Sequence, residues 1–480
     1  MAPGAKGKNS RAYLLNWRKV SGKRLITNDF GYFRFLSEKE FTRLMSGTSN
    51  LRPALHQDLS KKGFVRNWMD FDSLSETWRL KNAFLHFGPG LHIFVITLRC
   101  NYNCLYCQSG ALPERVHKTD MSFETARRAV DIAFQSPAPS ITIEFQGGEP
   151  LLNWKTLKKT IEYARKKEVS ENKELSLALV TNFSLMDAEK AEFLLANEVS
   201  LCTSLDGPRK VHDRNRPYSK GSSYDLAVKW IKYFMRRHDT QKGGSRIFKP
   251  SALLTVTRFV LRYPEETVDE YVKLGLEDIF VRPMSPIGYA ARVWDKIGYN
   301  SREFLSFYGK VLEYILKLNE KGVRIREKNA SLLLEKILNR RDPGYLDLRY
   351  PCGAAVGQIA YNWDGGLYTC DEGRMIAQQG DDVFRIGTVH DEYESIVKSG
   401  ACRLCALSSN LEQQPVCFRC AYKPYCGVCP VYNHEAQKSV WGNMLSNERC
   451  AIFMGIFDLI FKFLQDKKKE RILKKWIPEK

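Results

Sequence analysis

The chain has 480 residues, is 44% hydrophobic and 12% aromatic, and carries a formal net charge of +20. This length and composition predict about two to four packed domains and exclude an intrinsically disordered chain. The longest apolar stretch near the end, residues 452–464, is interrupted by Asp458 and Lys462 and is too short and too charged for a membrane-spanning helix. Because no secretory signal is visible, we expect a cytoplasmic protein.

Basic residues are concentrated at the two ends of the chain. Residues 1–25 contain seven lysines and arginines and no acid, and residues 462–480 contain eight basic and three acidic residues, so these segments supply 12 of the 20 net charges. Solvated termini explain this distribution, and a functional basic surface is the alternative. We expect no nucleic-acid partner.

The first segment, residues 1–88, is predicted to be a small α+β module. RLITNDFGYFRFL, residues 24–36, indicates two strands around the turn NDFG, and short helices are expected in residues 37–47 and 51–65.

From Leu91 onward, short apolar runs alternate with amphipathic stretches. Six strands are predicted, at residues 91–98, 140–146, 175–181, 199–205, 251–257 and 278–283. Helices between them have candidate N-caps at Ser122, Asn153 and Asp187. Alternating strands and helices predict a parallel α/β sheet, open or curled into a barrel, over residues 89–340.

Polar and glycine-rich motifs follow these strands where each strand ends. Three cysteines, Cys100, Cys104 and Cys107, follow the first strand and QGGEP follows the second. TN ends the third strand, SLDGP the fourth, and RPMSPIG the sixth. Because parallel α/β folds build their sites at the carboxyl ends of strands, we expect these motifs to form one site.

The spacing Cys100-x3-Cys104-x2-Cys107 provides three soft ligands in one loop, with no histidine or further cysteine nearby. Three thiolates with one open coordination position suit a [4Fe–4S] cluster, whereas structural zinc requires four ligands.

The motif CNYNCLYC, with an aromatic residue before its third cysteine, resembles the signature of the radical S-adenosylmethionine (SAM) enzymes. The resemblance extends to GGEP, TN and SLDGP, and it implies a partial (βα)6 barrel that binds one [4Fe–4S] cluster and S-adenosylmethionine. It implies that five residues contact S-adenosylmethionine: Tyr106, Gly147, Gly148, Glu149 and Ser204. Asn182 and Arg216 are two further candidates for contact with it.

Residues 341–455 are rich in turns and cysteines and resemble the auxiliary-cluster extension called SPASM. By resemblance, Cys417, Cys420, Cys426 and Cys450 would hold one [4Fe–4S] cluster, and Cys352, Cys370 and Cys429 a second. The pair Cys402 and Cys405 could complete the second cluster, or its last iron could stay open for substrate. Two residues separate Cys426 from Cys429, where the family has three, and zinc is the alternative metal.

Asp371 follows Cys370 in the motif YTCDEG. In the sulfatase-maturing members of this group an aspartate at the matching position serves as a base, so Asp371 is the catalytic candidate; a turn or capping aspartate is the other interpretation.

The last segment, residues 456–480, is predicted to be a basic helix and tail. Ile452, Ile456, Ile460 and Phe463 form a stripe that is expected to pack on the cysteine-rich region.

Taken over nearly the whole chain, the motif order resembles the radical maturase of the His-Xaa-Ser repeat peptide system. The resemblance implies a leader-binding, winged-helix-like element in the first segment, which binds a peptide as an added strand. It also implies a 5'-deoxyadenosyl radical that modifies a ribosomally made precursor peptide, a second radical SAM maturase and an electron donor. A sulfatase-type maturase acting on a cysteine or serine, and an RNA-modifying radical enzyme, are the alternatives.

Overall fold

A computed structural model describes residues 12, 15–48, 51–66, 69–241 and 246–478. Most of the basic residues at the extreme N-terminus, Lys6, Lys8 and Arg11, lie outside the described residues. Within the described part, no helix is long and apolar enough to cross a membrane.

The N-terminal segment forms a three-stranded antiparallel sheet, β1–β3, followed by three helices. The strands are Asn16–Val20, Lys23–Thr27 and Phe33–Leu36, and the helices are Glu38–Ser46, Pro53–Lys61 and Phe71–Lys81. The hairpin predicted around NDFG is confirmed as β2 and β3. The strand β1 was not predicted, because its five residues include the adjacent basic residues Arg18 and Lys19 and have no apolar alternation. Part of the expected basic tail is therefore folded structure.

Six parallel strands form the central sheet in chain order, as predicted. They are β4 Leu91–Thr97, β5 Ser140–Gly147, β6 Glu174–Val180, β7 Val199–Ser204, β8 Ser251–Val256 and β9 Asp278–Pro283. Each strand pairs with its neighbour in parallel, so all six carboxyl ends lie at one end of the sheet. The helices between them are Phe123–Phe134, Trp154–Glu171, Ala188–Ala196, Arg209–Asn215, Ser223–Asp239 and Pro264–Lys273.

The sheet continues beyond these six strands on both sides. The two-residue strand β10, Arg326–Glu327, pairs with β9, and β11, Gln358–Tyr361, pairs in parallel with β4. Two antiparallel strands, β12 Gly366–Tyr368 and β13 Arg385–Thr388, follow β11. Among the described residues the sheet therefore has ten strands, and three of them belong to the cysteine-rich region.

Two of the three predicted N-caps are confirmed. The Ser122 hydroxyl accepts a hydrogen bond from the Thr125 amide at 3.0 Å, and the Asp187 carboxylate accepts one from the Lys190 amide at 2.9 Å. Asn153 precedes its helix but does not cap it, because its side-chain amide donates to the carbonyls of Ile96 and Met121 instead.

The remaining α-helices of five or more residues lie after residue 300. They are Ser301–Glu320, Lys328–Leu334, Asp371–Ala377, Tyr393–Val397, Gly400–Ser408, Pro430–Gln437, Glu448–Leu464 and Lys467–Lys474. The helix Glu448–Leu464 packs on Ser301–Glu320, and its predicted apolar stripe is buried as expected. The expected segment boundary between residues 455 and 456 falls inside this helix.

The N-terminal sheet is attached to the C-terminal part of the chain. Arg18 of β1 forms an ion pair with Asp458 at 2.8 Å, and the Thr27 hydroxyl donates to the Ala421 carbonyl at 2.7 Å. The Phe33 ring lies 5.3 Å from the Phe461 ring, centroid to centroid. Because these contacts join segments more than 390 residues apart, the N-terminal module is part of the packed molecule and not a separate appendage.

Candidate functional site

The three cysteines after β4 lie in a loop at the carboxyl end of the sheet. The Tyr102 amide donates to the Cys100 sulfur at 3.4 Å, and the Arg216 guanidinium lies 3.8 Å from the Cys104 sulfur. Burial, opposed by the Arg216 charge, raises the pKa of Cys104 to about 12. Cysteine thiols lose their protons when they bind a metal, and three of them in one loop suit a metal cluster.

Gly147 and Gly148 lie where β5 ends against the cysteine loop. A Cβ atom on Gly147 would lie 2.2 Å from the Thr97 carbonyl oxygen, and one on Gly148 would lie 2.1 Å from the Arg99 carbonyl oxygen. The glycines are therefore required for close approach of two backbone segments. The predicted contact of these glycines with S-adenosylmethionine stays a prediction.

Glu149 is fully buried and bonded to the neighbouring strand end. Its carboxylate accepts hydrogen bonds from the Thr181 hydroxyl at 2.7 Å, the Asn182 amide at 2.8 Å and the Leu151 amide at 3.0 Å. Burial raises its pKa to about 7 against the effect of these donors. The carboxylate thus joins the ends of β5 and β6; its predicted contact with an ammonium group stays a prediction.

Asn182 and Ser204 occupy the ends of β6 and β7. The Asn182 side-chain amide donates to the Asn101 side chain at 3.0 Å and lies 4.0 Å from the Cys100 sulfur. Ser204 is the last residue of β7 and is partly exposed. The structure therefore brings Asn182 to the cysteine loop and places Ser204 at the same end of the sheet.

Tyr106, Arg216 and Asp206 form a buried network beside the loop. The Asp206 carboxylate accepts from the Tyr106 hydroxyl at 2.6 Å and from Arg216 Nε at 3.0 Å, and the Arg216 guanidinium carbon lies 5.1 Å from the Tyr106 ring centroid. Asp206 was not predicted as a site residue, although its position as an acid soon after the end of a strand, within SLDGP, could have indicated it. This network fixes the position of Arg216 beside Cys104.

Four cysteines of the C-terminal region lie together in one buried cluster, which we call the inner tetrad: Cys352, Cys370, Cys405 and Cys429. Burial first, and then the Cys429 charge, raises the pKa of Cys352 well above its usual value. Backbone amides donate to three of the sulfurs, Gly373 to Cys370 at 3.3 Å, Tyr432 to Cys429 at 3.4 Å and Ala354 to Cys352 at 3.5 Å.

Only one cysteine of the pair Cys402 and Cys405 joins this group. Both lie in the helix Gly400–Ser408, but the Cys402 thiol donates to the Ile396 carbonyl at 3.4 Å and packs in the main core. Cys405 is fully buried, and burial together with the nearby charge of Cys429 raises the pKa of its thiol. The structure therefore groups Cys405, and not Cys402, with the three cysteines of the predicted second cluster.

A second group, which we call the outer tetrad, consists of Cys417, Cys420, Cys426 and Cys450. These four residues line one cavity together with apolar side chains such as Leu411 and Phe457. Burial, and then the charge of Cys450, raises the pKa of Cys426 above its usual value. The grouping is the one that the sequence predicted, and Cys429 lines this cavity as well as the one described below.

Four cysteines can bind either one zinc ion or one [4Fe–4S] cluster, so each tetrad is a candidate for both metals. The assignment of clusters to the two tetrads stays a prediction.

Asp371 begins the helix Asp371–Ala377, and its carboxylate is committed to an ion pair. It accepts from the buried Arg374 guanidinium at 2.7 and 3.0 Å, and Arg374 also donates to the Ser109 carbonyl at 2.8 Å. Asp371 therefore tethers the cysteine-rich region to the first cysteine loop. This geometry favours the structural interpretation of Asp371 over that of a base.

A cavity lies between the carboxyl ends of β8 and β9 and the cysteine-rich region. One end is lined by Gln108, the residue after Cys107, and another part is lined by Cys429 of the inner tetrad. Arg282, Asp347 and Glu372 also line it. Burial, and then the charges of Asp347 and Asp371, raises the pKa of Glu372.

Comparison with known protein families and curated proteins identifies the central part of the chain. Residues 94–241 match the model of the Radical SAM superfamily. An uncharacterized protein of Methanocaldococcus jannaschii is 29% identical over 194 residues, which are 40% of this chain and 62% of that protein. The cysteine-type anaerobic sulfatase-maturating enzyme of Clostridium perfringens is 22% identical over 299 residues, 61% of this chain and 75% of that enzyme. The chain thus spans less than two thirds of the first of these relatives.

Two solved structures share the fold over most of the chain. Native anSMEcpe with bound AdoMet aligns with a TM-score of 0.65 at 19% identity, over 79% of this chain and all of that chain. Streptococcus suis SuiB bound to the precursor peptide SuiA aligns with a TM-score of 0.53 at 15% identity, over 90% of this chain and 98% of that chain. The match over residues 94–241 relates the central part of the chain to the Radical SAM superfamily, and most of the chain shares the fold of these two structures.

Proposed function

We propose that this enzyme is a peptide maturase that modifies residues of a ribosomally made precursor peptide carrying His-Xaa-Ser repeats. The observation that carries the proposal is the cavity between Gln108 and Cys429, because it connects the first cysteine loop with the inner tetrad. A peptide segment in this cavity would lie between two cluster sites. The similarity of the fold to SuiB, a structure with a precursor peptide bound, supports a peptide as the occupant.

The residues that would hold the cofactors follow from the groups described above. Cys100, Cys104 and Cys107 would hold the cluster that binds S-adenosylmethionine, and the inner and outer tetrads would hold two auxiliary clusters of the SPASM type. When bound, the first cluster and S-adenosylmethionine supply one-electron cleavage of a C–S bond and hence a radical able to remove a hydrogen atom. Arg216 and Asn182, beside the loop, would orient the S-adenosylmethionine carboxylate and amino groups.

The N-terminal sheet is the proposed leader-binding element. Strand β3 is an edge of the sheet within the described residues, and one face of it is anchored by the contacts of Phe33 and Phe35 with Phe461. An edge strand with free backbone groups can accept an extended peptide as an additional strand. A second radical SAM maturase and an electron donor would be the protein partners.

The test is the mass of a His-Xaa-Ser repeat precursor co-expressed anaerobically with this protein. A mass shift with the wild-type enzyme that disappears with the Cys104→Ala variant would support the proposal, because Cys104 would be a ligand of the first cluster. An unchanged precursor mass with the wild-type enzyme, in the presence of a functioning electron donor, would reject the proposed substrate.

A sulfatase-type maturase is the second candidate. It is favoured by the sequence similarity to the Clostridium perfringens enzyme and by the position of Asp371 after Cys370. It is disfavoured by the ion pair of Asp371 with Arg374. Incubation with a peptide that contains the cysteine or serine of a sulfatase would distinguish the two: oxidation of that residue, seen as a loss of mass, would favour this candidate.

A further inference from the structure

One wall of the cavity between Gln108 and Cys429 carries charged side chains with few protein partners. Arg282 and Arg449 lie on either side of Asp347, with nitrogen–oxygen distances of 3.8 and 4.0 Å. These distances are too long for hydrogen bonds. Within the described part of the chain, neither guanidinium donates a hydrogen bond to a protein acceptor, and Arg449 Nε is buried without a partner.

Glu372 supplies the complementary group on this wall. Glu372 lines the cavity, and within the described residues the one hydrogen bond to its carboxylate comes from its own backbone amide, whereas the preceding carboxylate, Asp371, is occupied by Arg374. Successive residues of a helix point about 100° apart, so the helix Asp371–Ala377 directs these two carboxylates to different surroundings. The wall therefore offers both free donors and a free acceptor.

The charges on the wall oppose one another. Two guanidinium groups and the carboxylates of Asp347 and Glu372 lie around the same space. A ligand with a full charge of either sign is therefore repelled by one pair of groups and attracted by the other. Phe280 and Phe453 add apolar surface beside them. A neutral ligand that both donates and accepts hydrogen bonds can use every polar group, and an apolar stem or ring can use the rest.

We propose that this wall binds a neutral polar side chain of the peptide substrate, such as an imidazole, with Glu372 accepting a hydrogen bond from it and Arg282 donating one to it. The inference rests on the proposed function, which places a peptide in the cavity. A neutral imidazole has one nitrogen that donates and one that accepts, so it matches this pair of groups. Glu372, and not Asp371, is then the carboxylate that contacts the substrate.

The experiment measures binding to the reconstituted enzyme with S-adenosylmethionine bound. The probes are three fluorescein-labelled heptapeptides, without a leader, that differ at one central position: His, Asp or Lys. At pH 8 the histidine is neutral. We expect the His peptide to bind at least about 10-fold more tightly than the other two, because one hydrogen bond to a charged group is worth about this factor.

Substitutions then test the two named residues. Glu372→Gln and Arg282→Gln should each weaken binding of the His peptide by about 10-fold or more. The matched control is Glu394→Gln, at an exposed carboxylate of the helix Tyr393–Val397, which should bind like the wild-type enzyme. Iron content and melting temperature equal to those of the wild-type enzyme would show that the variants are folded and loaded.

Three results would overturn the inference: equal affinity for the three peptides, unchanged affinity in both variants, or no binding of any peptide to the wild-type enzyme. These outcomes are separable from failure of the proposed function. A mass shift of the co-expressed precursor without selective binding would reject only the inference. Selective binding that depends on Glu372 and Arg282, without a mass shift, would reject only the proposed reaction.

Discussion

The pair Cys402 and Cys405 provides a sharp test of how the inner tetrad is composed. Both cysteines are buried and lie three residues apart in the helix Gly400–Ser408, so replacing either with alanine removes one sulfur from the same helix. Only Cys405 lies with Cys352, Cys370 and Cys429. Cys405→Ala therefore removes a proposed ligand, and Cys402→Ala is its matched control.

The expected magnitude follows from the three cysteine groups. Three [4Fe–4S] clusters would give about 12 irons per chain. We expect Cys405→Ala to lower this number toward about 8, because the inner cluster loses one of four ligands. Cys402→Ala should keep about 12 irons, at a cost of roughly 1 kcal/mol in folding free energy for the lost packing of one small buried side chain.

The assay is iron and sulfide analysis after anaerobic reconstitution, together with the electron paramagnetic resonance spectrum of the reduced protein. Loss of one component of the spectrum in Cys405→Ala, with the other components retained, would identify the affected cluster. Equal iron content in both variants, or loss of iron in Cys402→Ala alone, would refute the grouping. Zinc in place of iron in anaerobically purified protein would refute the cluster assignment itself.

Three further predictions concern stability. Burial lowers the pKa of Lys81 to about 7, whereas a lysine in the unfolded chain has a pKa of about 10.4, so the unfolded chain binds more protons between these two values. The free energy of unfolding should therefore rise by up to about 5 kcal/mol as pH rises across this window, seen as a rising melting temperature, and Lys81→Met should flatten that dependence. Burial raises the pKa of Glu149 to about 7, so its contribution to stability should fall as pH rises from about 4 to 7. Glu149→Gln places an amide group among three hydrogen-bond donors, so it should lower the free energy of unfolding by about 3 kcal/mol and reduce the iron content of the first cluster, as measured by thermal melting and iron analysis. Gly148→Ala should yield little folded protein by gel filtration because of the clash with the Arg99 carbonyl, whereas Gly400→Ala, with open space at its Cα, should fold like the wild type.

The central sheet could be predicted from sequence because its determinants are local. Six apolar runs separated by amphipathic stretches specify strands and helices through side-chain periodicity alone, and parallel pairing of consecutive strands brings the motifs after them to one edge. The first cysteine loop and the glycines of QGGEP therefore came to the same place in the structure as in the prediction. The outer tetrad was also expected, because the order of these cysteines resembles that of the SPASM extension.

Other features depend on contacts between distant segments, and sequence patterns do not record those contacts. The pairing of β11 with β4, which extends the sheet into the cysteine-rich region, joins short strands more than 250 residues apart. The strand β1 and the ion pair of Arg18 with Asp458 likewise form only when the two ends of the chain pack together.

The site shows the same division. The sequence by itself determined the three cysteines of the first loop, the cysteine content of the last region and the strand ends that carry polar motifs, because each of these is a short run of residues. Only the tertiary structure decided that Cys405 joins the inner tetrad, that Asp206 holds Arg216, and that Glu372 instead of Asp371 faces the cavity. The physical reason is that helix rotation and packing set the direction of each side chain, and neighbours in sequence can point into different environments.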